Sequence, residues 1–335
     1  MKPVVVLIGR PNVGKSTLFN RLTRSRNALV SDEPGVTRDR HYGDGVVGDR
    51  PYYVVDTGGL IDAHDLGPKR SAELSSQIAE QVRHAVAEAD CLVFVVDGRV
   101  GLTAQDLVIA ETLRKLNKTF VLAINKTEGT PEDVAASDFQ RLGLKDVYCV
   151  SSAHGHGVAA MMTAILATLP VAEELPHDPG VPRLAVIGRP NAGKSTFVNA
   201  LLGEARLVVS DVAGTTRDSI VVPLERGSKK YWLIDTAGIR RRAKVESALE
   251  KFSVIKSLEA IDNSDVALLI VDAKAGMGEH DVQLAHYVLE HGRALVLVVN
   301  KWDLLDSGAH AWFKQELDRL FPYLEFVTVH YISAI

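Results

Sequence analysis

Gly9, Arg10, Pro11, Asn12, Val13, Gly14, Lys15 and Ser16 recur as Gly188, Arg189, Pro190, Asn191, Ala192, Gly193, Lys194 and Ser195, with Val13 against Ala192 the single difference. Each copy fits G-x-x-x-x-G-K-[ST], a glycine-rich turn whose backbone N–H groups wrap phosphate oxygens while the following helix adds its positive end. Gly9, Gly14, Gly188 and Gly193 read as positions where the backbone approaches phosphate closely. Lys15 and Lys194 are spaced to reach the outer phosphates. Ser16 and Ser195 offer a hydroxyl to Mg²⁺, which binds nucleotides through few protein ligands. One such match arises by chance in roughly 1% of chains this long. Two point to two phosphate sites.

The duplication keeps register beyond the loops. Thr216 minus Thr37 and Asp235 minus Asp56 both give 179, as does Gly188 minus Gly9. Asn300 minus Asn125 gives 175 and Ser333 minus Ser152 gives 181, so short insertions and deletions fall between motifs, where loops tolerate them. Asp56, Thr57, Gly58, Gly59 and Leu60 answer to Asp235, Thr236, Ala237, Gly238 and Ile239. Behind a phosphate loop, Asp56 and Asp235 read as carboxylates of the Mg²⁺ shell and Gly59 and Gly238 as backbone donors to a γ-phosphate. Taken alone, such a stretch is also an ordinary strand-to-loop turn. Thr37 and Thr216 suit a mobile loop that closes a hydroxyl on Mg²⁺. A helix cap or a plain loop hydroxyl is the other reading.

Base choice rests on Asn125, Lys126, Thr127 and Glu128, repeated as Asn300, Lys301, Trp302 and Asp303. Guanine presents N1–H and N2–H₂ side by side, and one carboxylate, Glu128 or Asp303, accepts both; adenine has no matching pair. Asn125 and Asn300 brace the loops, and the stems of Lys126 and Lys301 cover the base. Ser152 with Ala153, and Ser333 with Ala334, supply backbone N–H toward the guanine carbonyl. Paired buried groups of this kind discriminate by about 10⁴-fold or more, because the wrong base leaves them unsatisfied.

The chemistry such groups support is positioning and charge stabilisation of a moving phosphoryl group by Lys15, Lys194, Mg²⁺ and the loop N–H groups. Leu60 and Ile239 have no group to order water. Asn12 and Asn191 offer amide oxygens to a monovalent cation beside the β- and γ-phosphates; alternatively each Asn pins its loop backbone.

Elements must hold these residues at one rim. In the first copy, "VVVLIG", "YYVVDT", "CLVFVVD", "FVLAIN" and "VYCVSS" are short apolar runs, and "LAVIG", "YWLIDT", "VALLIVD", "ALVLVVN" and "FVTVHYIS" follow in the second. Near-continuous hydrophobicity suits strands covered on both faces. Residues 75–89 and 104–116 have helical periodicity. The alternation predicts an α/β fold: two tandem nucleotide-binding domains, each a mostly parallel sheet covered by helices, with ligands beyond the strand carboxyl ends. Residues 171–182, acidic and holding three prolines, mark a linker between domains 1–170 and 183–335.

Composition narrows the class further. The chain of 335 residues is 46% hydrophobic, enough for two cores. Basic and acidic residues, 38 and 42, are interspersed, so no chain-wide footprint for nucleic acid exists and any RNA contact is local. Arg240, Arg241, Arg242 and Lys244 form one such cluster, read either as an RNA-facing patch or as a solvated helix start. Cys91 and Cys149 lie in apolar runs without zinc spacing, which fits a reducing compartment. No run approaches the roughly 18 to 20 apolar residues of a membrane span. A cytoplasmic protein without membrane contact is expected.

Two whole motif sets in tandem resemble the Der/EngA family of bacterial GTPases, in the P-loop branch that includes Era-like proteins. The resemblance covers nearly the whole chain. It implies GTP and GDP as nucleotides with Mg²⁺, GTP hydrolysis coupled to maturation of the large (50S) ribosomal subunit, contacts with rRNA and ribosomal proteins, and a monomer; Era-like relatives with the loop Asn imply K⁺ at Asn12 and Asn191. Two departures stand out. Glu128 lengthens the first base-reading arm by one methylene, and only Ile335 follows Ala334, so the last helix of the second domain and the family's KH-like C-terminal domain are absent and a fragment is expected. Two rival readings are a nucleotide-gated scaffold with one poorly hydrolysing site and an Era-like enzyme of tRNA modification.

Overall fold

The computed structural model describes residues 2–23, 29–31, 40–57, 86, 88–115, 118, 120–171, 178–203, 206–207, 220–235, 254–321 and 327–334. The chain divides into two compact units, Met1–Glu173 and Glu174–Ile335.

In the first unit, the central strands are the runs of Val, Ile, Leu and Phe that sequence alone picks out: β1 (Val4–Ile8), β4 (Arg50–Asp56), β5 (Cys91–Asp97), β6 (Phe120–Asn125) and β7 (Val147–Cys149). Every residue of β1 and β5 is buried, as expected of parallel strands with both faces covered. Two further strands, β2 (Leu29–Ser31) and β3 (Arg40–Val47), complete a seven-stranded sheet in the order β2-β3-β4-β1-β5-β6-β7. Both β2–β3 and β3–β4 pair antiparallel, whereas β4, β1, β5, β6 and β7 run parallel.

The second unit repeats this plan with β8 (Arg183–Ile187), β9 (Arg206–Leu207), β10 (Ile220–Arg226), β11 (Lys229–Asp235), β12 (Val266–Asp272), β13 (Ala294–Asn300) and β14 (Thr328–Tyr331). Its order is β9-β10-β11-β8-β12-β13-β14. The sheets are mostly parallel, as expected from the alternation. Periodicity missed the antiparallel strands because β3 mixes polar residues and glycine with its apolar ones. Those glycines have a packing reason: a Cβ on Gly43 would stand 2.4 Å from Thr23 Cγ2, and one on Gly45 2.4 Å from the Leu22 carbonyl oxygen. The first helix lies directly on β3 there.

That helix, α1 (Lys15–Thr23), buries Leu18, Phe19 and Leu22. The predicted helix at 104–116 is α2 (Ala104–Lys115). Of the helix predicted over 75–89, only residues 86, 88 and 89 are among the described ones. After the short α3 (Glu132–Ser137), α4 (Val158–Thr168) buries Val158, Met161, Met162, Ile165 and Leu166, the i, i+3, i+4, i+7, i+8 stripe of an amphipathic helix. That stripe shares a core with Val5, Leu18, Val93, Val121 and Val150. The second unit has α5 (Lys194–Gly203), α6 (Val254–Asp262), α7 (Glu279–Glu290) and α8 (Ser307–Leu320). There Leu184, Phe197, Leu268, Val296 and Ile332 are only partly buried, and α4 has no described counterpart. Among the described residues no helix is long and apolar enough to cross a membrane.

Candidate nucleotide sites

Each phosphate loop joins the end of a first parallel strand to a helix, Ile8 to Lys15 and Ile187 to Lys194. Pro11 and Pro190 open its turn. The glycines also answer to the protein itself. A Cβ would meet the Val95 carbonyl oxygen at 2.2 Å from Gly9 and that of Ile270 at 2.2 Å from Gly188. Gly14 and Gly193 have φ of 96° and 95° and would place a Cβ 2.4 and 2.1 Å from Asn125 Nδ2 and Asn300 Nδ2. Strand and base loop press so closely on the turn that only glycine fits.

Asn12 and Asn191 have φ of 65° and 62°, in the left-handed region that asparagine tolerates better than most side chains. Lys15 is buried, and its Nζ donates to the Arg10 carbonyl at 2.9 Å. Lys194 Nζ donates to the carbonyls of Gly188 at 2.8 Å and Arg189 at 2.7 Å.

Parallel pairing of Leu7 with Asp56 carries that carboxylate to the carboxyl rim beside α1. Ser16 Oγ donates to Asp56 Oδ2 at 2.7 Å, and Asp56 is fully buried with its Oδ1 lacking a hydrogen-bond partner. A buried hard oxygen without a donor beside a serine hydroxyl fits Mg²⁺ held by few protein ligands and by phosphate. Thr57 turns away, its Oγ1 donating to the Leu7 carbonyl at 2.6 Å. In the second unit Ser195 lies in the first turn of α5 and Asp235 ends β11. Thr37, Thr216, Gly58, Gly59, Leu60, Thr236, Ala237, Gly238, Ile239 and the basic cluster at 240–244 lie outside the described residues, as does the Asp235 side chain.

The base loops are tied to the phosphate loops by the same bonds in both units. Asn125 Nδ2 donates to the Val13 carbonyl at 2.8 Å, and Asn300 Nδ2 to that of Ala192 at 3.0 Å. Lys126 Nζ reaches the Asn12 carbonyl and Asp97 Oδ2, both at 2.7 Å; Lys301 Nζ reaches the Asn191 carbonyl at 2.8 Å and Asp272 Oδ2 at 2.6 Å. Both lysines adopt positive φ, 65° and 60°, a conformation that costs a non-glycine residue on the order of 1 kcal/mol. Burial pushes the Asp97 carboxyl up, but the Lys126 hydrogen bond, the amides of Arg99 and Val100 and the Lys126 charge outweigh it and hold the group below its ordinary range. Asp272 is lowered likewise, burial being opposed by Lys301 and by the amides of Ala275 and Lys274.

The last motif corrects the sequence register. Val150 N–H donates to the Ile124 carbonyl and Ile332 N–H to that of Val299, each at 2.8 Å, an offset of 182 rather than 181. Asn125 Oδ1 therefore accepts from Ser152 N at 2.9 Å and Oγ at 2.8 Å, while Asn300 Oδ1 accepts from Ala334 N at 3.0 Å. Ser152 answers to Ala334, and Ser333 to Ser151; matching "SA" by letter shifts the pairing by one. Arg21 adds a brace that the sequence reading missed, its Nε donating to the Ser152 carbonyl at 3.1 Å and its guanidinium also to that of Ala153. Ala200 stands at the matching place.

The base-facing side chains differ between units. Thr127 caps its loop, Oγ1 donating to the Val150 carbonyl at 3.0 Å. Trp302 packs into its own unit, stacked on His310 at 4.1 Å and edge-on to Phe313 at 5.8 Å between ring centroids. Asp303 is exposed. Glu128 pairs with the Arg99 guanidinium, and its carboxyl is held below the ordinary range by the Ser151 hydroxyl first, then by its own amide and the Arg99 charge. Sequence reasoning also passed over Asp97 and Asp272; their offset of 175, shared with the asparagines, was the available signal.

A phosphate loop and an N-K-x-[DE] loop bonded to each other at the carboxyl rim of a mostly parallel sheet is the arrangement of P-loop GTP-binding domains, and this chain has it twice. The family model described as "50S ribosome-binding GTPase" matches residues 4–126 and 183–301. Over the whole of this chain, the GTPase Der of Chromobacterium violaceum is 53% identical, with 70% of that protein covered. The GTPase Der proteins of Aromatoleum aromaticum and Ralstonia pickettii are 51% and 52% identical over the whole chain, with 75% and 74% of their lengths covered. The chain belongs to the Der family of GTPases: it hydrolyses GTP and takes part in ribosome assembly.

Proposed function

We propose that this chain is a cytoplasmic GTPase that reads out GTP or GDP at two sites and acts on the maturing 50S subunit through rRNA and ribosomal proteins. The observation behind the guanine reading is the doubled stitch of Asn125 to Val13 and Asn300 to Ala192, which ties each N-K-x-[DE] loop to a phosphate loop. The description "50S ribosome-binding GTPase" of the matching family supports the ribosomal partner.

Each site residue has a role in this reading. The N–H groups of residues 12–16 and 191–195 cradle the β- and γ-phosphates. Lys15 and Lys194 swing from the loop carbonyls to the phosphate oxygens and offset charge that grows in the transition state. Ser16 with Asp56, and Ser195 with Asp235, would hold Mg²⁺ together with Thr37 and Thr216, where it would supply positive charge beside the phosphates. Gly59 and Gly238 donate to the γ-phosphate. Glu128 and Asp303 accept from guanine, and the amides of Ser152, Ala153 and Ala334 face its carbonyl. Asn12 and Asn191 would ligate K⁺, supplying charge where Leu60 and Ile239 have no group to orient water.

Sedimentation of the full chain with purified 50S and 30S particles tests the proposal. Co-sedimentation with 50S that requires a non-hydrolysable GTP analogue is expected. Equal binding to both subunits, or binding indifferent to nucleotide, overturns the 50S reading.

A further inference from the structure

Between the end of β5 and the first turn of α2, and again between β12 and α7, runs a ten-residue stretch, 97–106 and 272–281. The two copies keep only three residues in common: Asp97 with Asp272, Gly101 with Gly276, and Asp106 with Asp281. All three make corresponding contacts in the two units, with Arg189 also donating to the Gly276 carbonyl. The first aspartate takes the base-loop lysine, as described above. The glycine, at φ 75° or 73°, folds the stretch back through its N–H onto the carbonyl of Asp97 at 3.1 Å or Asp272 at 3.0 Å.

The last aspartate, fully buried in both copies, faces the arginine of the phosphate loop. Asp106 Oδ1 lies 3.4 Å from Arg10 Nε, and Asp281 Oδ2 lies 2.7 Å from Arg189 Nε. Each also caps its helix: Asp106 Oδ2 accepts from Thr103 N at 3.0 Å, and Asp281 Oδ2 from Gly278 N at 3.0 Å. Capping alone leaves the arginine unexplained. Capping carboxylates are usually solvent-exposed, and a fully buried one is costly unless a cation balances it. Arg10 Nε and Nη2 are themselves buried without a hydrogen-bond acceptor, so among the described residues Asp106 is their countercharge. The carbonyls of Arg10 and Arg189 are in turn the ones on which Lys15 and Lys194 rest.

We propose that Asp106 and Asp281 are positioning residues for nucleotide binding: each holds the phosphate-loop arginine, and through the stretch that begins at Asp97 or Asp272 it locks the phosphate loop to the base-reading lysine. The inference rests on reading the two loops as GTP sites. Nothing about the bonds requires a ligand to be present, so the lock is preformed.

The test uses the full chain with the first site silenced by Lys15→Ala and N-methylanthraniloyl-GDP as probe. Asp281→Asn keeps size and a capping oxygen but removes the charge, and Arg189→Ala removes the partner. Each is expected to weaken the probe about tenfold, a coupling of the size contacting residues show, with the double variant no weaker than the worse single one. Asp303→Asn, which acts on the base directly, is expected to add its loss to that of Asp281→Asn. Additive losses for Asp281→Asn and Arg189→Ala overturn the proposal, as does a lowered melting temperature with unchanged probe affinity, the signature of capping only. Should Asp281→Asn not fold, Arg189→Lys and Arg189→Ala are compared: equal affinities also overturn it. If the Lys15→Ala parent itself fails to bind the probe, the GTP-site reading has failed instead, and the positioning role falls with it.

Discussion

Lys301 Nζ sits 2.6 Å from Asp272 Oδ2, joining the residue after one central strand to the last residue of its neighbour. Asp272 has a depressed pKa, so this pair stabilises the fold fully above the unfolded carboxyl value of about 3.9 and loses its contribution as pH falls through the lower folded value. Asp272→Asn is therefore expected to lower the urea midpoint of the second unit at pH 7 and to flatten its fall between pH 5 and pH 2, ranges set by about that unfolded value. Parallel acid limbs for the two proteins would remove the pair from the account.

Base reading differs between the sites. With the first site silenced, Asp303→Asn turns one acceptor into a donor and is expected to shift preference from GTP to XTP; retained GTP preference refutes the assignment. With the second site silenced by Lys194→Ala, Arg99→Ala frees Glu128 from its exposed partner. An exposed pair holds little in water, so guanine nucleotides are expected to bind at most a few-fold tighter, an effect that salt erases.

Asn12 and Asn191 hold left-handed backbone, which separates two roles that Asn→Ala confounds. Asn→Gly keeps the loop but deletes the amide oxygen; Asn→Asp keeps an oxygen. If the oxygen ligates K⁺, turnover of the wild type rises in K⁺ over Na⁺ at equal ionic strength and Gly at either position abolishes the rise in that site. A rise that survives in the Gly variants assigns Asn to loop conformation alone.

Burial pushes the Cys91 thiol up to about 12, with Asp146 and Asp90 adding to the effect. At pH 8 essentially none of it is thiolate. Ellman's reagent is expected to modify Cys149, which is only half-buried, and to reach Cys91 only after denaturant is added. Two equally fast thiols in the native protein would contradict the packing of β5.

What sequence reveals here follows from what repeats. The strands 91–97, 266–272 and 294–300 are legible to the residue because a doubly covered parallel strand is an unbroken apolar run. The phosphate and base loops are legible because chemistry restricts residue type at fixed spacing. The strand 40–47 is not, since its glycines serve the helix above and its polar residues break the pattern. The pairing of Ser152 with Ala334 was also hidden, because a backbone N–H has no letter of its own. Asp106 and Asp281 look like ordinary helix-start acids until Arg10 and Arg189 are seen against them.

The carbonyls of Asn12 and Val13 accept from Lys126 and Asn125, and those of Asn191 and Ala192 from Lys301 and Asn300. For a nucleotide held by both loops, departure is expected as a single event. A base that swings out is expected to strain the loop that grips the diphosphate, since the two loops are bonded to each other. Off-rates for GDP, GMP and guanosine should then differ by how many contacts must break together, not by a sequence of partial releases. A factor that pries at either loop is then expected to loosen the grip of both.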